Sequence, residues 1–169
     1  MANYAKIKTY DVANGEGIRT SIFFSGCEFH CKGCFNRELW EFDYGKPFNI
    51  DVYENEIKPT ITEHVAGISI LGGEPLHYKN IGAVCDLVRW FKHDFPDKSI
   101  WLWTGYKIED LQERCTFDHC VKQADAIALR CVLNNIDVLV DGQFIEEQRD
   151  LTLKWRGSRN QRIFAINKD

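Results

Sequence analysis

No stretch of this sequence approaches the ~20 apolar residues that span a bilayer. Its first segment, MANYAKIKTYDVANGEG, also lacks the apolar centre of a secretory leader. These two absences predict a soluble, cytoplasmic chain with no membrane partner. Positive charge is not in excess: 21 Lys and Arg stand against 25 Asp and Glu, a formal net charge of −4. There is thus no general attraction to nucleic acid or to an anionic surface. No internal repeat, low-complexity tract or linker divides the chain, so residues 1–169 are expected to form a single domain, because domains run ~100–200 residues. A complete (β/α)₈ barrel needs about 250 residues, so any barrel here must be incomplete. What the chain does have is 44% hydrophobic residues, enough for a substantial core.

It also has seven cysteines, many for its length and odd in number. In a reducing compartment, closely spaced cysteines more often bind metal or do chemistry than form disulfides. Cys27, Cys31 and Cys34 fall within the stretch SGCEFHCKGCFN, at residues 25–36. Thiolates suit iron–sulfur centres, and Cys₄ ligation ordinarily saturates a cubane. The bacterial ferredoxin run ending in Cys-Pro is absent, and a structural zinc site wants four protein ligands. Three cysteines in so tight a loop suit a [4Fe–4S] cluster with one iron left open. The alternatives are three small core thiols or a zinc site completed by His30 or a distant cysteine. His30 is expected to tune or cover the cluster rather than to ligate it. A second group, Cys115, His119, Cys120 and Cys131, lies in RCTFDHCVKQADAIALRC at residues 114–131. It has no tight C-x₂-C pair, so free or buried thiols are expected, with a second metal site as the alternative. Cys85 lies close to the apolar stripe of a helix and is expected in the core.

Periodicity supplies the scaffold. GIRTSIFFSG (17–26) reads as a strand entering the cysteine loop. NRELWEF (36–42) reads as a short helix, and DVYENEIKPTITEHV (51–65) as a helix capped by Asp51 and broken at Pro59. GISILGG (67–73), SIWLWTG (99–105), IDVLVDG (136–142) and RIFAIN (162–167) read as strands. NIGAVCDLVRWFKHDF (80–95) carries Ile81, Val84, Leu87, Val88 and Phe91 at helical spacing, and KIEDLQERC (107–115) is a further helix. Strands alternating with helices predict an α/β fold with a mostly parallel sheet. Three strands end alike, at Gly72-Gly73-Glu74, Thr104-Gly105-Tyr106 and Asp141-Gly142. In such folds ligands sit beyond the carboxyl ends of the strands, so one rim is expected to gather these turns and the cysteine loop.

GGEP, at residues 72–75, adds a glycine pair whose backbone can approach a ligand closely. Its carbonyls and Glu74 offer acceptors for an ammonium group; the plainer reading is a tight strand-to-helix turn with a solvated glutamate. Together, C-x₃-C-x₂-C in CEFHCKGC and the GGEP turn resemble the signatures of radical S-adenosylmethionine (radical SAM) enzymes. The resemblance implies that Cys27, Cys31 and Cys34 hold a [4Fe–4S] cluster whose open iron binds the methionine moiety of S-adenosylmethionine. It places Gly73 in direct contact with that cofactor, Gly72 and Glu74 beside it, and Gly33, Cys34 and Phe35 against it. It also implies an incomplete β/α barrel.

Further segments, NGEGIRTSIFFSGC, GCFNRELW, GGEPLH, IWLWTGY, DVLVDGQF and LKWRGSRNQR, resemble in that order the activases of glycyl-radical enzymes. Within these they match the branch that serves anaerobic ribonucleotide reduction. In that family a reduced cluster passes one electron to S-adenosylmethionine, and the 5′-deoxyadenosyl radical formed takes hydrogen from the Cα of a glycine in a partner. The implied partners are the large subunit of the anaerobic reductase and an external one-electron donor such as flavodoxin. No general acid or base is needed, so the lack of a Ser/His/Asp pattern is not a gap. The alternatives are an activase of another enzyme such as pyruvate formate-lyase, a small-molecule radical SAM enzyme, and a non-catalytic iron–sulfur or zinc module. Lys154, Arg156, Arg159 and Arg162 are expected to line the opening or contact the partner, the alternative being a solvated basic run. Trp101, Trp103 and Tyr106 are placed near the adenine or in the core.

Overall fold

The computed structural model describes residues 1–116 and 123–166. Four strands run parallel at the centre of a seven-stranded sheet of order β3-β1-β2-β4-β5-β6-β7. They are β2 (Ile18–Phe24), β4 (Val65–Gly72), β5 (Ser99–Trp103) and β6 (Val138–Asp141). Three antiparallel strands extend the sheet: β1 (Asn3–Asp11) on β2, β3 (Lys46–Pro47) on β1, and β7 (Arg162–Ala165) on β6. The sheet is open, ending on β3 and β7.

The parallel strands read as short apolar runs because both their faces are covered. Their register sets Ile22, Ile70, Leu102 and Leu139 side by side across the sheet, all fully buried. On this face lie α2 (Ile81–Asp94) and α4 (Gln123–Asn135). The α2 stripe Ile81, Val84, Leu87, Val88 and Phe91 is buried as its periodicity predicts. A second register row, Ser21, Ser69, Trp101 and Val138, points to the opposite face.

The polar members of that face are tied down. Arg19 is fully buried, yet among the described residues no carboxylate pairs with it. Its guanidinium donates to the Ser69 and Ser99 hydroxyls and to the carbonyls of Glu16, Ile68 and Ser99, at 2.7–3.0 Å. Burial lowers its pKa to about 10, so it stays charged at neutral pH. Asp11, at the end of β1, accepts from Ser21 Oγ, Asn14 Nδ2, Lys8 Nζ and the Ala13 N–H at 2.6–3.0 Å. This carboxylate folds the 12–17 loop back over the sheet.

Several elements depart from the sequence reading. β1, β3 and α4 had no predicted counterpart. The helix foreseen from Asp51 is a broken series: α1 (Ile50–Val52), a π turn (Tyr53–Ile57) and a 3₁₀ turn (Lys58–Thr60) that contains Pro59. Its cap is Asn49 rather than Asp51, because Asn49 Oδ1 accepts from the Val52 N–H at 3.1 Å. NRELW contracts to a single 3₁₀ turn, Arg37–Trp40. The 107–115 segment is α3 (Ile108–Arg114).

Candidate metal centre

The cysteine loop begins where β2 leaves the sheet, and a neighbouring turn fixes its entry. Gly26 N–H donates to the Leu39 carbonyl and Cys27 N–H to the Trp40 carbonyl, at 2.8 and 2.9 Å. The loop then doubles back through His30, a non-glycine at φ +46°. The His30 ring stacks on Trp40, with centroids 4.4 Å apart. Cys27 is buried, and Cys31 and Cys34 are half-buried. All three line one cleft of about 550 Å³.

The Asn36 backbone N–H donates to Cys34 Sγ at 3.4 Å. This N–H···S contact is of the kind that tunes iron–sulfur centres. Burial pushes the Cys27 thiol up to about 11 and raises that of Cys31, against the opposing pull of nearby backbone N–H groups of Phe29, His30 and Phe144.

The glycine turn lies directly against this loop. Gly73 N–H donates to Phe24 O, and Glu74 N–H to Gly26 O, both at 2.8 Å. A Cβ on Gly73 would come within 2.4 Å of the Gly26 carbonyl, so only glycine permits this approach. Glu74 is almost fully buried. Its carboxylate accepts from Thr104 Oγ1, the Gly105 N–H and the Leu76 N–H at 2.7–2.9 Å. Burial nevertheless raises its pKa to about 7. Glu74 thus laces the end of β4 to the end of β5.

Cys27, Cys31, Cys34, Phe35, Gly72, Gly73 and Glu74 all line the cleft. Gly33 lies on the other side of the loop, in a smaller cavity of about 380 Å³ with Cys31, Cys34, Arg37 and Trp40. Thr104, Gly105 and Gly142 bring the other strand-end turns to the same cleft, which continues over Phe23, Leu71 and Trp103 on the face opposite α2 and α4. Trp103 Nε1 donates to the Trp155 carbonyl at 2.7 Å. Trp101 is buried against Trp103 and Trp155, and Tyr106 packs on Phe29. Within the basic segment Arg156 lines the cleft, and Lys154 and Arg159 are exposed. Arg162 instead makes paired hydrogen bonds to Asp141 and Glu109, which is a structural role. Trp155, Gly157 and Gln161, which belong to the LKWRGSRNQR segment of the family resemblance but were given no individual role there, also line the cleft.

The donor set, three thiols on one loop, is of the kind that iron–sulfur clusters take. Cys27, Cys31 and Cys34 are free thiols in the same cleft. The other cysteines are unlike them. Cys85 on α2 and Cys131 on α4 are half-buried against the apolar core, and burial, with Cys131 nearby, pushes the Cys85 thiol up to about 12. Cys115 packs on the same core, while His119 and Cys120 lie outside the described residues.

Comparison with known proteins agrees with this chemistry. The family model described as a 4Fe-4S single cluster domain matches residues 13–164. A protein of Haemophilus influenzae is 42% identical over 165 residues, covering 95% of this chain and 96% of that one. One of Vibrio cholerae is 40% identical over 164 residues, covering 95% and 96%. One of Escherichia coli K12 is 37% identical over 167 residues, covering 97% and 99%. Each of the three is named anaerobic ribonucleoside-triphosphate reductase-activating protein.

Proposed function

The chain belongs to the family of anaerobic ribonucleoside-triphosphate reductase-activating proteins, and on that premise we propose that it is a radical SAM activase. Its substrate protein is the large subunit of the anaerobic reductase, on which it generates a glycyl radical. The observation that carries this reading is the shared cleft, in which the three thiols and the glycine turn face one space of about 550 Å³. When bound, a [4Fe–4S] cluster supplies one electron for the reductive cleavage of S-adenosylmethionine.

The chain's own residues hold, orient and shield. Cys27, Cys31 and Cys34 would hold the cluster as thiolates and would leave a position on it for S-adenosylmethionine. Gly72 and Gly73 present backbone carbonyls to its ammonium group at a point no side chain can block. Glu74 acts by holding this turn to β5, since Thr104, Gly105 and Leu76 already occupy its carboxylate. Phe35, more than half exposed at the cleft mouth and packed on Phe144, screens the site from water, and Gly33 keeps the loop thin behind it.

Residues 1–169 act as one domain, with the open sheet as the wall of an incomplete barrel. Its unclosed side admits the glycine loop, past Phe35, Leu151 and Arg156. The electron comes from an external one-electron carrier such as flavodoxin, in the cytoplasm. Among the described residues no helix is long and apolar enough to cross a membrane.

Anaerobic reconstitution with iron and sulfide, followed by a strong reductant and S-adenosylmethionine, should release 5′-deoxyadenosine. Addition of the reductase should then produce a glycyl-radical doublet in its EPR spectrum. A fully loaded, reduced protein that leaves S-adenosylmethionine intact would sink the reading. Cleavage without a radical on the reductase would move the chain to a different glycyl-radical partner.

A further inference from the structure

Three successive carbonyls at the exit of β2 meet the glycine turn. The Phe24 carbonyl accepts from Gly73 N–H and the Gly26 carbonyl from Glu74 N–H, both at 2.8 Å. Between them, the Ser25 carbonyl accepts from the side chain of Asn80 at 2.9 Å. The same carboxamide nitrogen donates to the Glu74 carbonyl, also at 2.9 Å. Asn80 therefore spends both N–H groups bridging the residue ahead of the cysteine loop to the residue after the glycine pair. Asn80, Ser25 and Glu74 are all at least 99% buried, so no water competes for these bonds.

The bridge stands on a rigid base. Asn80 lies at the N-terminus of α2, and its carbonyl accepts the Val84 N–H at 3.1 Å. The helix behind it is anchored by fully buried Val84, Leu87, Val88 and Phe91. Its own N–H donates to His77 O at 2.8 Å, which fixes the approach of the chain. Asn80 does not line the cleft itself.

We infer that Asn80 is a positioning residue, a clamp that sets the register of the glycine turn against the cysteine loop. This rests on the proposed function, because the register matters only if one ligand must reach both segments. The cysteines fix where the open iron lies, and the glycine carbonyls fix where the ammonium group lies. Asn80 hydrogen-bonds both segments from outside them, beside the direct bond of 3.4 Å from Asn36 Nδ2 of the cysteine loop to the Gly72 carbonyl. Displacement by a fraction of a bond length would leave each half intact and the pair mismatched; misplacement of about 1 Å can cost a reaction ~10²-fold.

The test compares Asn80→Leu, which removes the amide, and Asn80→Asp, which sets carboxylate oxygens against both carbonyls, with Asn80→Gln, which keeps the amide. Each is reconstituted anaerobically and measured for iron content, for the EPR spectrum of the reduced cluster with and without S-adenosylmethionine, and for cofactor affinity and cleavage rate. Asn80→Leu and Asn80→Asp are expected to load iron as the wild type does but to bind the cofactor about tenfold more weakly, as suits the loss of one or two buried hydrogen bonds. Their cofactor-induced spectral change should be lost or reduced, and Asn80→Gln should restore part of it. An unchanged spectral response, with affinity within about twofold of wild type, in Asn80→Leu overturns the clamp. So does loss of iron from all three variants, since Asn80 would then hold the cysteine loop alone. A wild-type cluster that ignores S-adenosylmethionine would instead overturn the proposed function, a separate and distinguishable result.

Discussion

Two neighbouring rows of side chains cross the parallel strands and face opposite ways. Ile22, Ile70, Leu102 and Leu139 meet α2 and α4 in a wholly apolar contact. Ser21, Ser69, Trp101 and Val138 turn to the face opposite α2 and α4, where the buried polar groups Arg19 and Asp11 also lie. The first face asks only for volume and apolarity, so many sequences would serve it. The second fixes loops through hydrogen bonds of set direction, and each of its polar groups would be costly if left unpaired. Stability is concentrated on one side, and geometry for chemistry on the other.

The sharpest way to break this division is at the cysteine loop. Cys31→Ala should abolish stable cluster binding and S-adenosylmethionine cleavage together. The cluster-free protein should unfold within about 0.5 kcal/mol of wild type, because the half-buried side chain lies in a loop outside the main apolar core. Iron analysis and urea unfolding check the two halves. Unimpaired cleavage would remove Cys31 from the ligand set, and a large loss of stability would mean that the loop carries part of the fold.

The opposite test is Leu87→Ala on α2. Leu87 is fully buried in the helix-side core, and truncation there should cost about 3 kcal/mol, within the ~2–5 of such changes. At a temperature where the variant remains folded, iron content and cleavage per loaded site should match wild type. Cluster loss under those conditions would show that the two faces do not act independently.

Arg19→Met probes the boundary between them, since Arg19 belongs to the polar face yet reaches no cleft residue by hydrogen bond. Removing it leaves the carbonyls of Glu16, Ile68 and Ser99 without that donor. Methionine recovers part of the apolar packing, so the expected net loss is about 2 kcal/mol. Urea midpoints at constant slope measure it. A neutral result would mean that water or a shifted loop satisfies those carbonyls.

The apolar face was also the legible one. Residues 80–95 announce α2 because its stripe repeats at helical spacing, and ISIL and VLV announce central strands by composition. The strand β1 was hidden because only Ala2, Tyr4 and Asp11 of its neighbourhood are buried, while Lys6, Lys8, Thr9 and Tyr10 are exposed. Its place comes from pairing with β2, a long-range fact that no local period records. In α4 the buried positions are Ala126, Leu129 and Val132, too small and sparse to stand out. The candidate site was readable where motif residues meet a ligand directly, as at the cysteines and Gly73. Asn80 acts through the Ser25 and Glu74 carbonyls, Asn36 through the Gly72 carbonyl and Thr104 through the Glu74 carboxylate, partners that only the fold brings near, so their types carried no signal.

Asp11 offers the smallest effect and the finest test, because its contribution depends on pH. Burial pushes its carboxyl up, but hydrogen bonds from Ser21, Asn14, Lys8 and the Ala13 N–H outweigh that and hold it at about 2, against 3.8 for a free side chain. A depressed pKa means that the unfolded chain binds the proton first as pH falls. The stabilisation is therefore complete above about pH 4 and is lost as pH drops toward about 2. Asp11→Asn should be less stable than wild type at pH 7, and the gap between their urea midpoints should close through that window. Glu109 and Asp94 also titrate near pH 2, through Arg162 and Lys58 respectively. Those pairs reach solvent, so 1 M salt, with a Debye length of about 3 Å, should screen them. The Asp11 gap should persist in salt, because its oxygens are held by short bonds inside the fold. A gap that vanishes in salt would place Asp11 with the surface pairs and remove it from the ordered polar face.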